Sequence, residues 1–263
     1  MKIIDVHTHA FPDELAEKAM SNLTKNYTKK YYHNGTISSL IELMDKAGIY
    51  KSVIQSIATK PDQALNILKW SLKIKSERIE PFISIHPQTP NYKEILNMAK
   101  DNGIKGIKVH PHYQGFKADD ENIFFLYEDF IKFDFIVFFH SGVDLAFLGY
   151  DNAAVWRILK VRKKFPEMKI ILAHFGGYRE WDKVSEFLAG EDFYFETSFV
   201  LQEAGEEVFK RILRKHSVDK ILFGTDSPWT DPINSIKLIN ELKISNEEKE
   251  KIFYKNYERI LNL

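Results

Sequence analysis

The chain has 263 residues, 44% hydrophobic and 28% charged, with 37 Lys and Arg balancing 37 Asp and Glu. That balance is the composition of a globular protein, and zero net charge removes the basic footprint expected of a nucleic-acid binder. The absence of cysteine excludes disulfides, thiolate metal sites and thiol nucleophiles, and apolar runs such as FIVFF (135–139) are too short to span a bilayer.

The N-terminus carries no basic segment followed by an apolar one, so the expected location is the cytoplasm. In chain order, eight runs rich in β-branched and aromatic residues predict strands. They are KIIDVHTH (2–9), KSVIQSI (51–57), IEPFISIH (79–86), GIKVH (106–110), DFIVFFH (134–140), KIILAH (169–174), DFYFETS (192–198) and KILFGTD (220–226). Amphipathic, helix-length segments separate them, from SSLIELMDKAG to PINSIKLINEL, with a last helix near 246–261. Asn91 and Asn152 are candidate helix caps, and Gly48, Gly103 and Gly190 stand where helices should stop.

Strands alternating with helices over this length predict a single-domain (β/α)₈ TIM barrel. The competitor, a doubly wound open sheet, normally has a Gly-rich turn after its first strand, and here that position reads HTHAFPDE. Residues 13–36 lengthen the first crossover and are expected to fold over the barrel mouth as an insertion.

In such a barrel the chemistry gathers at the C-terminal strand ends. Simple alternation along KIIDVHTH turns Asp5, His7 and His9 inward and Ile4 and Val6 toward the helices. Six of the nine histidines fall at predicted strand ends: His7, His9, His86, His110, His140 and His174. His112 lies just beyond one of them, and Lys108 and Asp226 share the same level. One strand-end histidine is more often a packing residue than a ligand. A cluster of imidazoles without a cation would be poorly solvated and mutually repulsive when charged, so the joint pattern points to metal. His33, in a polar insertion, and His216, at a helix end that favours positive charge, read as structural. His86 stands evenly between a site residue and one that orients the loop at Pro87.

DVHTH, GIKVHP with QGF after it, FFHSG, LAHFGG and FGTDSPW, in this order over nearly the whole chain, resemble the amidohydrolase superfamily. The resemblance is greatest to its amidohydrolase-2 branch, which holds metal-dependent hydrolases and non-oxidative decarboxylases. It implies that His7, His9, His140 and Asp226 bind one divalent metal, with His174 beside the bound water or substrate. Three imidazoles and a carboxylate suit Zn²⁺ first, with Mn²⁺ or another divalent ion as alternatives. A binuclear centre through Lys108 is the lesser option. Asp226 doubles as proton acceptor, while Asp5 supports the fold.

Lys108 and His110 read as substrate-facing, and His174 or Lys108 also as the catalytic group that steadies an oxyanion. Arg179 in FGGYREW could clamp a carboxylate or lie on the surface, and Trp229 and Tyr113 could wall the pocket. The first functional expectation is hydrolysis of a small ester, lactone or amide by a metal-activated water. The alternative is non-oxidative decarboxylation of an aromatic or unsaturated carboxylic acid. A metal-dependent nuclease barrel is disfavoured because no inward strand-end glutamate is evident. A barrel that only binds ligand is disfavoured by the intact histidine and aspartate set. The expected partner is a small carbonyl- or carboxylate-bearing molecule, with no nucleic acid or membrane. The resemblance leaves a homodimer open.

Overall fold

The computed structural model describes residues 1–24 and 31–261. Eight parallel strands run in chain order: β1 (Ile4–Thr8), β2 (Lys51–Gln55), β3 (Ile79–Phe82), β4 (Gly106–Val109), β5 (Ile136–Phe139), β6 (Ile170–Leu172), β7 (Tyr194–Glu196) and β8 (Ile221–Leu222). Ladders join β1 to β3 and β4 to β8. Two seams close the ring. At the first, Ile83 N–H donates to Gly106 O at 3.1 Å and Lys108 N–H to Ile83 O at 2.7 Å. At the second, Val6 N–H donates to Phe223 O at 2.9 Å and Asp226 N–H to His7 O at 2.7 Å. The result is the expected TIM barrel, in which every strand edge is paired. No helix among the described residues is long and apolar enough to cross a membrane.

The apolar residues divide into two layers. Alternate strand residues such as Ile54, Ile107, Val137 and Phe223 pack outward in the cluster that holds helix residues Leu40, Leu68 and Leu96. The other set, including Val53, Phe82, Phe138 and Leu222, fills the barrel and meets Tyr257 and Ile260 of the C-terminal helix. Gly106 leaves the room that Phe82 occupies, since a Cβ there would lie 2.2 Å from its ring.

Strand β1 departs from simple alternation. Ile4 and Val6 belong to the barrel-filling cluster rather than to the helix-facing one. The cause is a bulge: Asp5 pairs with Ser52 but Thr8 with Ile54, three steps against two. The phase therefore shifts between Asp5 and His7. Asp5 turns away from the interior and accepts the Thr225 N–H at 3.0 Å and its hydroxyl at 2.6 Å. It also accepts the His7 N–H at 3.1 Å, while Gln55 Nε2 donates to Val6 O at 2.9 Å. Both backbone groups at the bulge thus have partners, and His7 and His9 face inward despite the shift.

The helices follow the expected pattern. Thr36 caps Ile37–Ala47, which Gly48 ends at φ 71°. Asn91 occupies its N-cap position without a side-chain cap bond. Asn152 does not cap Val155–Lys164; its Nδ2 donates to Pro111 O and Phe116 O and ties that loop down. The C-terminal helix contains a π turn at Lys251–Lys255, and the Ile252 carbonyl accepts Phe223 N–H at 2.8 Å. This helix thereby anchors β8, the shortest strand. The first crossover holds a helix, Asp13–Thr24; residues 25–30 of the expected insertion lie outside the described residues.

His216 is not the charged helix-end residue expected. Its ring stacks on Phe195 at 4.0 Å and 9°, and its Nδ1 accepts Gly190 N–H at 3.2 Å. Burial holds its imidazole down to about 4. The unfolded chain therefore binds a proton between the ordinary pKa near ~6.5 and about 4 that the folded chain does not. Stability from this contact is complete above that window and is lost as pH falls through it, by up to about 3 kcal/mol. Thermal melts from pH 7 to pH 4 should show a shallower acid decline for His216→Gln, which keeps an acceptor for Gly190.

Candidate active site

The strand ends bring His7, His9 and Asp226 to one point. His7 Nε2 lies 3.2 Å from His9 Nε2, and Asp226 Oδ1 lies 3.2 Å from the first and 3.0 Å from the second. His174 joins them: its ligand atom, with those of His7 and Asp226, falls within 4.8 Å. Alternation along β6 turns Ile171 and Ala173 inward, so His174 should point out. Left-handed backbone at His174 (φ 58°) and Phe175 (φ 55°) reverses its direction. Asp226 is left-handed too, at φ 59°. Such values are costly for side-chain-bearing residues and gather where function imposes them.

Behind the histidines sits Glu196, fully buried at the end of β7. Its Oε1 accepts His174 N–H at 2.6 Å and the Ser198 hydroxyl at 2.7 Å, and contacts His7 Nδ1 at 3.0 Å. Its Oε2 accepts Ser198 N–H at 2.8 Å. The carboxylate assigns the protons: His7 donates from Nδ1 and bares Nε2, and His174 Nδ1 donates to Ser198 Oγ at 2.8 Å. Gly224 makes the space, because a Cβ there would lie 2.1 Å from Glu196 Oε2.

Burial holds the His7 and His140 imidazoles well below their ordinary value, and lowers that of His174. All three are neutral at pH 7. Burial would raise the Asp226 carboxyl, but His7 and His9 outweigh it and bring it to about 2. A bare His7 nitrogen thus faces an ionised carboxylate oxygen, two acceptors in contact, which a cation between them reconciles. The donors present fit a divalent metal.

A second group lies beyond His174, whose Nε2 is 3.2 Å from His140 Nδ1. His140 stacks on His110 at 4.1 Å and 9°, and its Nε2 has no hydrogen-bond partner. The expected metal set of His7, His9, His140 and Asp226 is therefore gathered with His174 between His140 and the rest. Asp144 Oδ2 stands 3.4 Å from His110 Nε2 and 3.9 Å from His140 Nε2. Lys108 is buried with Nζ 4.3 Å from the Phe138 ring centroid, and burial takes its ammonium down to about 8 against the pull of Asp226 and Glu196.

These groups floor a cavity of about 580 Å³, whose lining also includes Tyr113 and Trp229. Arg179 is outside it. A left-handed backbone (φ 57°) turns the side chain to the surface, half exposed, with its Nε 3.8 Å from Glu203 Oε2. His86 orients its loop by accepting Gln88 N–H at 3.1 Å, and His33 does the same for Gly35 N–H at 3.1 Å. His112 packs against Phe147 and faces Tyr150 O at 3.4 Å. Two acids escaped the sequence reading. A strand-end glutamate does exist, contrary to the expectation, though it stands behind His7 on the nitrogen away from Asp226. The signal was a charged residue alternating with Tyr194 at the end of DFYFETS. Asp144, four residues past His140, had no comparable signal.

Three solved structures illustrate what the chain is similar to. An uncharacterized TIM-barrel protein from Bordetella bronchiseptica is 19% identical, with a TM-score of 0.80 over 100% of this chain and 99% of that one. 5-Carboxyvanillate decarboxylase from Novosphingobium aromaticivorans, complexed with manganese and 4-hydroxy-3-methoxy-5-nitrobenzoic acid, is 16% identical, with a TM-score of 0.75 over 100% and 96%. 4-Oxalomesaconate hydratase from Rhodopseudomonas palustris is 19% identical, with a TM-score of 0.68 over 98% and 95%. No curated protein matches the sequence. The model of the amidohydrolase family matches residues 4–263, and the chain belongs to that family of metal-dependent enzymes.

Proposed function

We propose that the protein is a metal-dependent non-oxidative decarboxylase of an aromatic or unsaturated carboxylic acid. Lys108 carries this reading: it is a buried ammonium that forms no ion pair among the described residues, and it lines the cavity beside the histidines and Asp226. A substrate carboxylate supplies the missing partner. The cavity's aromatic lining, with Phe11, Trp70, Tyr113, Tyr178, Phe199 and Trp229, supports an unsaturated substrate. By their names, the decarboxylase and the hydratase among the similar structures act on carboxylic acids.

A divalent cation held by His7, His9 and Asp226, with His174 or His140 completing the set, supplies a Lewis acid for a substrate oxygen. Manganese is the metal in the complex of the similar 5-carboxyvanillate decarboxylase. This supports Mn²⁺ ahead of the Zn²⁺ expected from the sequence. Lys108 orients the carboxylate, and the aromatic walls exclude water. As the C–C bond breaks, its electron pair stays on the substrate carbon, CO₂ leaves, and that carbon takes a proton. Asp144 is the proposed donor: burial raises its carboxyl to about 6, against the opposing Ala146 N–H. Arg179, at the surface, has no part in this scheme. Hydrolysis of a small ester, lactone or amide is the second reading, supported by the ionised Asp226 as proton acceptor, with His174 or Lys108 facing an oxyanion.

Three outcomes are expected. Protein loaded with Mn²⁺ or Zn²⁺ and offered aryl carboxylates and lactones in parallel should release CO₂ from the former; acid release from lactones without CO₂ would reverse the order of the readings. His7→Ala and Asp226→Asn should each abolish that activity while circular dichroism stays native. Second, kcat/KM should fall as pH rises through about 6, where Asp144 loses its proton, and more steeply above about 8, where Lys108 loses its own; Lys108→Met should lose most of the activity. Third, Glu196→Gln should weaken metal affinity about 10–100-fold in chelator competition, because His7 loses its anchor.

A further inference from the structure

The cavity is larger than the reaction requires. A cavity of about 150 Å³ holds benzene, and this one has about 580 Å³. The strand ends account for its polar floor. The remainder is walled by two helices from the first two crossovers.

In Asp13–Thr24, Ala16 and Met20 form the buried stripe. Leu15, Ala19 and Leu23, four residues apart, form a second apolar stripe, and all three line the cavity. Leu15 is 51% exposed. In Ala64–Ile74 the buried stripe is Ala64, Leu68 and Ser71, while Ile67 and Trp70 line the same cavity and are only partly buried. Each helix thus carries apolar side chains that its packing on the barrel covers only in part, and both sets line one cavity. Partly uncovered apolar surface grouped in this way marks a binding site.

We propose that these stripes form a second, apolar subsite, and that the substrate is an aryl carboxylic acid bearing a further apolar group about the size of another ring. The inference rests on the carboxylate-binding reading of Lys108 and adds the substrate's far end to it. The carboxylate is held at the strand ends and the apolar group lies between the two helices, against Trp70.

The test is binding to the full-length, Mn²⁺-loaded protein, measured by calorimetry for benzoate, 2-naphthoate and biphenyl-4-carboxylate, with CO₂ release followed separately. Affinity should rise across the series, by on the order of tenfold to a hundredfold from first to last. Trp70→Ala should bring the ratio between last and first to within about threefold. Leu15→Gln, a change at a half-exposed position that leaves folding intact, should lower the ratio in the same direction. Equal affinities for the three acids, or a ratio unmoved by both substitutions, would overturn the subsite. Size-graded binding without CO₂ from any acid supports the subsite and overturns the decarboxylase reading instead.

Discussion

One buried carboxylate holds the site in shape. Glu196 has lost all its water, so every lone pair it presents needs a donor from the protein. Those donors are the His174 backbone, the Ser198 backbone and hydroxyl, and the His7 ring. Satisfying Glu196 therefore fixes the left-handed turn after β6, the loop after β7 and the tautomer of the first histidine. Gly224, two residues past β8, is part of the same constraint, since any side chain there would displace the carboxylate. Strands β1, β6, β7 and β8 are locked to each other at the level where the chemistry occurs. A protonated or missing Glu196 would free His7 to reverse its tautomer and would put a proton where a metal lone pair is needed.

The bulge in β1 is the second constraint, and it shows how far a sequence pattern can be read. Period-two reasoning assigned His7 and His9 inward, and they are. It assigned Asp5 inward and Ile4 and Val6 outward, and these are reversed. A bulge depends on what the neighbouring strand and Thr225 offer, and neither is encoded in KIIDVHTH itself. Asp5 then turns out to be what stabilises the bulge, by taking the His7 N–H that the ladder no longer uses.

The same boundary runs through the rest of the chain. Strand and helix positions were legible because alternation and helical periodicity are local properties, and the barrel followed from their order. The fate of single residues after a strand end was not. His174 and Arg179 are five residues apart and both left-handed, yet one is turned into the pocket and the other to the surface. Glu196 was hidden by its setting in a run that reads as an ordinary strand. Its importance comes from His7, 189 residues away in sequence.

The structure also separates what the barrel fixes from what its crossovers add. The floor of the cavity is made at strand ends, where eight closed ladders leave little freedom to shift a side chain. There burial keeps imidazoles neutral, His7 and His9 hold Asp226 ionised against burial, and Lys108 is a buried ammonium with no ion-pair partner among the described residues, a charge distribution that suits a cation and an anion side by side. The walls come from helices that pack on the barrel through one stripe and leave another partly uncovered. Such a stripe can change without disturbing any strand or any contact of Glu196. In the proposed scheme, reaction type is a property of the staves, and the shape of the molecule that reacts is a property of the two helices above them.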